Sequence, residues 1–153
     1  MAASTPGFHL TRSLEDYLET IYALIRDQRV VRVRDIAEAR GVKPGSVSPA
    51  LRRLSALGLV DYTQRGHIGL TPQGERLARR VYARHRVLER LLGDVLLLPQ
   101  QDAEPVACAM EHSLTPAAMD RLTLFLEYLE EHGEGRSFLA DFHAWLGSED
   151  GTG

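Results

Sequence analysis

Apolar residues recur at helical spacing through most of the chain. Leu14, Leu18, Ile21, Tyr22 and Ile25 lie three and four apart. That spacing predicts an amphipathic helix, with Ser13 as its N-cap and Asp16 at the third helical position. "RVVRV" then reads as a short extended link. In the following "RDIAEARGVKPGSVSPALRRLSALGLV", Ile36, Ala37 and Ala39 form a short helix that Gly41 closes, since glycine tolerates the left-handed turn. Val47, Leu51 and Leu54, with Leu57 one turn further, stripe a second helix. Two helices around a glycine turn form a helix-turn-helix pattern. Residues 59–62 and 68–70 read as short strands around a glycine-bearing turn, which makes a wing.

A long helix follows Thr71, with Pro72 in its first turn, and is expected to run to about Leu92. "GDVLLLPQQDAEP" reads as a break, and residues 105–113 as the next helix. Thr115-Pro116 opens another, with Met119, Leu122, Leu124, Phe125, Tyr128 and Leu129 on its apolar side. Residues 137–146 suggest a last helix whose Phe138, Phe142 and Trp145 are spaced to bury one face. The predicted fold is therefore mainly α: a winged helix-turn-helix at 9–73, an all-helical domain at 74–147, taken below as a dimerisation and metal-binding domain, and flexible tails at 1–8 and 148–153. Leucine-rich short helices often complete their core with a second copy of the chain.

Charge sharpens the division. Residues 1–90 carry 16 Lys and Arg against 9 Asp and Glu, and residues 91–153 carry 2 against 12. The basic half suits a polyanion, and the acidic half does not. A lone cysteine, Cys108, excludes an internal disulfide. No apolar run reaches the roughly 18 residues of a membrane span, and the N-terminus lacks a signal-peptide core. A cytoplasmic protein with no membrane partner is expected.

In a helix-turn-helix the second helix enters the major groove of double-stranded DNA. Its exposed face offers Lys43, Ser46, Ser48, Pro49, Ala50 and Arg53. Serine can bond to any base edge, and proline and alanine can touch a thymine methyl. Arg34, Arg52 and Arg53, with Arg65 and His67 on the wing, suit phosphates, which set register without reading sequence. Pro49 removes a helical hydrogen bond and presses on residue 45. That residue is glycine and the position is near the helix start, so the cost falls below the roughly 3 kcal/mol of a mid-helix proline.

Candidate metal ligands sit on three predicted helices: Asp16 and Glu19, His85 and Glu89, and Cys108, Glu111 and His112. Offsets of three and four place each set on one helix face. Mixed oxygen, nitrogen and sulfur donors suit a divalent transition ion, not calcium. Each pair alone also reads as ordinary surface charge. Cys108 beside His112 admits a nucleophile, but no glycine-rich elbow or oxyanion nest accompanies it, and no enzyme is expected. A winged-helix regulator sensing an oxidant through Cys108, or an organic ligand, is the alternative of another class.

"SLEDYLETIY", the helix-turn-helix, the wing, "RHRVLERLL" and "CAMEH" stand in one order. In that order the chain resembles the metal-dependent repressors typified by the diphtheria toxin repressor and the manganese transport regulator, DtxR and MntR, over roughly residues 10–125. The resemblance implies a homodimer on a palindromic operator that represses metal-uptake genes. It implies an aspartate ligand of the manganese branch at Asp16, where the iron branch has methionine, and a manganese-branch glutamate ligand at Glu19. It implies a shared histidine ligand at His85, an iron-branch glutamate at Glu89, and shared ligands at Glu111 and His112. Cys108 falls at the iron branch's cysteine, where manganese members carry glutamate. Glu104 replaces an iron-branch histidine. The hybrid set, with a chain that ends at residue 153 without an SH3-like domain, points to Mn(II), with Fe(II) as the alternative and Zn(II) or Co(II) able to bind in vitro.

Overall fold

The structure, a computed structural model, describes residues 10–62 and 66–150, with Asp150 by its backbone alone. The expectations placed on the 1–8 tail, on Arg65 and on residues 151–153 lie outside the described residues. The protein is mainly α-helical with one small sheet, and it forms two compact units, Met1–Tyr82 and Ala83–Gly153.

The first unit holds α1 (Arg12–Asp27), α2 (Val33–Arg40), α3 (Pro44–Ala56), β1 (Val60–Tyr62), β2 (Ile68–Leu70) and the first part of α4 (Pro72–Glu89). The sequence boundary at 73/74 marks the start of α4, and the compact units divide further along that helix. Thr11, not Ser13, caps α1: its side chain accepts from the Leu14 amide. Starting two residues early brings Ser13 into the first turn, and Asp16 is drawn to Arg40 rather than to a capping box. Arg32 precedes α2, and its amide donates to Asp35 Oδ2 at 2.8 Å. Gly41 ends α2 at φ +63°, a conformation that costs a side-chain-bearing residue energy.

Leu14, Leu18 and Ile21 of α1 pack with Ile36, Val47, Leu51, Leu54 and Leu59 in one buried cluster. Tyr17 is buried with them, although the expected stripe omitted it, and Ile25 is exposed in the last turn. The strands pair antiparallel, Val60 opposite Leu70 and Tyr62 opposite Ile68. Val31 adds a bridge, accepting from the Ile68 amide at 3.0 Å. Thr71 joins wing to helix: its hydroxyl donates to the Gly58 carbonyl at 2.6 Å and accepts from the Gly74 amide at 3.0 Å.

The second unit holds the rest of α4, a π-helical turn (Arg90–Val95), α5 (Gln100–Glu111), α6 (Pro116–Glu131) and α7 (Gly133–Asp150). Three expectations are corrected here. Helix α5 begins at Gln100, inside the expected break, with Pro105 in its interior. The bond Pro105 forfeits is offset by burial of Ala103 and Ala107 against Leu88 and Leu92. Helix α7 starts at Gly133 instead of residue 137 and runs to Asp150, into the segment expected as a tail. Gly135 permits the early start, because a Cβ there would lie 2.2 Å from the Tyr128 carbonyl oxygen. Nor are Phe138 and Trp145 buried; they are 58% and 57% exposed within the single chain. Helical spacing aligned them on one face, but no other segment among the described residues covers that face.

A Cβ at Gly74 would lie 1.8 Å from the Leu59 carbonyl oxygen. Gly74→Ala is expected to lower stability by about 1–3 kcal/mol, read as a reduced urea midpoint with an unchanged slope.

Candidate metal centre and nucleic-acid interface

Helix α3 turns Val47, Leu51 and Leu54 inward. The same periodicity leaves Lys43, Ser46, Pro49, Arg52 and Arg53 exposed, with Ser48 and Ala50 half-buried. Pro49 lies within the helix and Pro44 opens it; beside Gly45 nothing stands where a Cβ would be. Tyr17 Oη donates to the Ser46 carbonyl at 3.4 Å and so ties the start of α3 to α1. Arg34 is exposed and pairs with Asp35 at 3.5 Å. His67 is exposed beside β2.

The second unit gathers a polar cluster. Helix α4 supplies His85 and Glu89, one turn apart, and the end of α5 supplies Cys108, Glu111 and His112. Glu111 is 1% exposed and is the buried charged residue of the described chain. His85 Nδ1 lies 2.8 Å from Glu111 Oε2, and His85 Nε2 lies 3.4 Å from Glu89 Oε1. Glu89 also accepts from Arg86 Nη1 at 2.6 Å. On the other side, His112 Nε2 lies 3.0 Å from Glu111 Oε1. Cys108, Glu111 and His112 each present a donor atom, all within 4.8 Å of one another.

Two features of this cluster suit a cation. Glu111 Oε1 is buried and makes no hydrogen bond, despite the nearby His112 nitrogen. An unsatisfied buried carboxylate oxygen is costly. His85 meets a carboxylate at each ring nitrogen, yet a neutral imidazole donates only one hydrogen. The donors are sulfur, nitrogen and oxygen, a set matched to a divalent transition ion. Immediately after Glu89 the backbone widens into the π-helical turn, a feature frequent at functional sites. His143 of α7 donates to the Val95 carbonyl at its end, at 3.0 Å. Glu104 is exposed, and with Glu89 it lines a cavity of about 270 Å³.

Asp16 and Glu19 are half-buried on α1 in the first unit. Asp16 Oδ2 pairs with Arg40 Nη2 at 3.3 Å, a partner the spacing of the sequence did not reveal. The two residues are 24 positions apart on different helices, and only packing of α1 on α2 joins them.

The N-terminal DNA binding domain of the iron dependent repressors matches residues 9–68, and their metal binding and dimerisation domain matches residues 71–139. The chain belongs to the iron-dependent repressor family. Its relatives are transcriptional regulators and not enzymes. The regulator MntR of Lysinibacillus sphaericus is 35% identical over 122 residues, 80% of this chain and 87% of that protein. Among solved structures, the manganese regulator SloR is similar with a TM-score of 0.67 and 32% identity, over 78% of this chain and 55% of that one. IdeR of T. acidophilum is similar with a TM-score of 0.63 and 31% identity, over 71% of this chain and 51% of that one. The repressor thus spans about half the length of these solved relatives. No helix among its described residues is long and apolar enough to cross a membrane.

Glu111→Gln keeps the shape of the buried side chain and removes its charge. The metal-free protein is expected to melt at or above the wild-type temperature, while the rise in melting temperature produced by Mn(II) falls away, with metal affinity reduced at least tenfold. Differential scanning calorimetry with and without Mn(II) reads both.

Proposed function

We propose that this repressor is a cytoplasmic, Mn(II)-responsive regulator of metal-uptake genes that binds a palindromic operator as a homodimer. The observation that carries this reading is the buried Glu111 carboxylate, one oxygen of which makes no hydrogen bond, among His85, Cys108 and His112. Glu89 stands beside His85, and the family resemblance adds Asp16 and Glu19 of α1 as candidate hard-oxygen ligands. A bound divalent ion supplies positive charge that neutralises these carboxylates and fixes their geometry. Four carboxylates, those of Asp16, Glu19, Glu89 and Glu111, favour Mn(II), and the similarity to a manganese regulator supports it. The Cys108 thiolate favours Fe(II), the second reading. Length does not discriminate, since SloR, a manganese regulator, extends well beyond the part this chain covers.

Mechanistically, ligands drawn from α1 and from the helical unit restrain the DNA-reading unit relative to the dimer. Two recognition helices then hold a spacing near one DNA turn, about 34 Å. The exposed apolar side chains Leu124, Phe125, Tyr128, Phe138 and Trp145 support the dimer, because a second copy of the chain would cover them. Lys43, Ser46, Ser48, Pro49 and Ala50 read bases, and Arg34, Arg52, Arg53, Arg65 and His67 hold phosphates. Coupling between sites of this kind is typically about 1–3 kcal/mol, some 5- to 150-fold in operator affinity.

Anaerobic operator titration across Mn(II), Fe(II), Co(II) and Zn(II), with bound metal counted per chain, tests the reading. Mn(II) is expected to tighten binding within that range and a chelator to reverse it; unchanged affinity would refute the metal switch. Cys108→Ser is expected to change which metals activate. A variant that loses only a peroxide response, with metal-free DNA binding intact, would favour the oxidant sensor. Arg52→Ala and Arg53→Ala are each expected to weaken binding across DNA sequences and to lower the salt slope by about one.

A further inference from the structure

Arg40 is the last residue of α2, and its guanidinium is folded back onto α1. Nη2 lies 3.3 Å from Asp16 Oδ2, and Nη1 donates to Thr20 Oγ1 at 3.5 Å. That hydroxyl donates in turn to the Asp16 carbonyl at 2.8 Å. Arg40 Cζ sits 4.6 Å from the centre of the Tyr17 ring. The side chains of Arg40 and Asp16 are only 23% and 15% exposed. Arg40 Nε is buried without a hydrogen-bond partner. The guanidinium is therefore held where one donor goes unsatisfied, and what it gains there is the Asp16 carboxylate and the Tyr17 face.

We propose that Arg40 is the resident counter-ion of Asp16, a positioning residue that sets how much metal the repressor needs before it responds. This rests on the reading of Asp16 as a metal ligand. Without metal, Arg40 neutralises a nearly buried carboxylate that would otherwise repel Glu19, one turn away on α1. Were Asp16 to ligate a divalent ion, the guanidinium paired with the same carboxylate would repel that ion. Arg40 also orients the carboxylate, which favours ligation; in this reading the like-charge repulsion outweighs that gain. Arg40 thus weakens metal binding while it stabilises the metal-free state. Its position ties this balance to DNA reading: Gly41 follows it, Lys43 immediately precedes α3, and Tyr17, beneath the guanidinium, bonds to the Ser46 carbonyl.

Titration calorimetry of the metal-free full-length chain with Mn(II) tests the proposal without any DNA readout. Arg40→Met keeps the stem against Tyr17 and removes the charge, and it is expected to bind Mn(II) about tenfold more tightly. Arg40→Lys keeps a charge and is expected to stay within about threefold of wild type. In an Asp16→Asn background, Arg40→Met is expected to have no effect. If Arg40→Met does not fold, Arg40→Gln, which keeps a donor for Asp16, carries the same expectation. A merely structural role would weaken metal binding in these variants. Unchanged or weaker binding in the uncharged variants overturns the proposal, as does equal tightening in Arg40→Lys or in the Asp16→Asn background. If Asp16→Asn alone leaves Mn(II) affinity at the wild-type value, the ligand assignment of Asp16 fails instead.

Discussion

A carboxylate taken almost wholly out of water governs the second unit. Glu111 is 1% exposed, and one of its oxygens has no hydrogen bond. Burying such a group without a partner is unfavourable by more than most single contacts contribute. The surrounding side chains make sense as answers to that problem. His85 takes one oxygen, His112 approaches the other, and Cys108 brings a polarisable donor to the same place. Glu111 Oε1 still has no hydrogen bond among them. A divalent ion could be held by that oxygen together with the neighbouring nitrogen and sulfur donors.

The local backbone serves the same end. His85 and Glu89 stand one turn apart on α4, and the helix changes to π geometry directly after them. Helix α5 begins early enough for Ala103 and Ala107 to pack on Leu88 and Leu92. That packing carries the end of α5, and with it Cys108 and Glu111, to the α4 donors. Small residues at the contact let the two helices approach closely. In the first unit, apolar packing likewise sets α1 against α2 and α3, leaving the basic face of α3 open. The charge asymmetry of the two halves follows from these separate tasks: one unit meets phosphate, the other binds a cation and its own copy.

Most of the first unit was legible from residue order. The α3 stripe Val47, Leu51 and Leu54, the Gly41 turn and the wing strands depend on neighbours within a few positions, where periodicity and turn chemistry act. The limits of legibility lay in the second unit. Helix α5 was expected to open at Pro105 and the last helix at residue 137, yet the helices begin at Gln100 and Gly133, because packing outweighed local propensity. Phe138 and Trp145 were correctly aligned on one helix face, but alignment does not say whether this chain or another covers it.

The candidate ligands show the same divide. Offsets of three and four put His85 with Glu89, and Cys108 with Glu111 and His112, on single helix faces, since helical geometry alone decides such neighbours. Residue order also marked the switch from a basic reader to an acidic helical half. That His85 meets Glu111 across 26 positions, that Glu111 is buried with an unsatisfied oxygen, and that Arg40 claims Asp16 are decisions of the tertiary structure. Contacts between helices depend on how whole faces pack, and the spacing of residues within one helix carries no record of them.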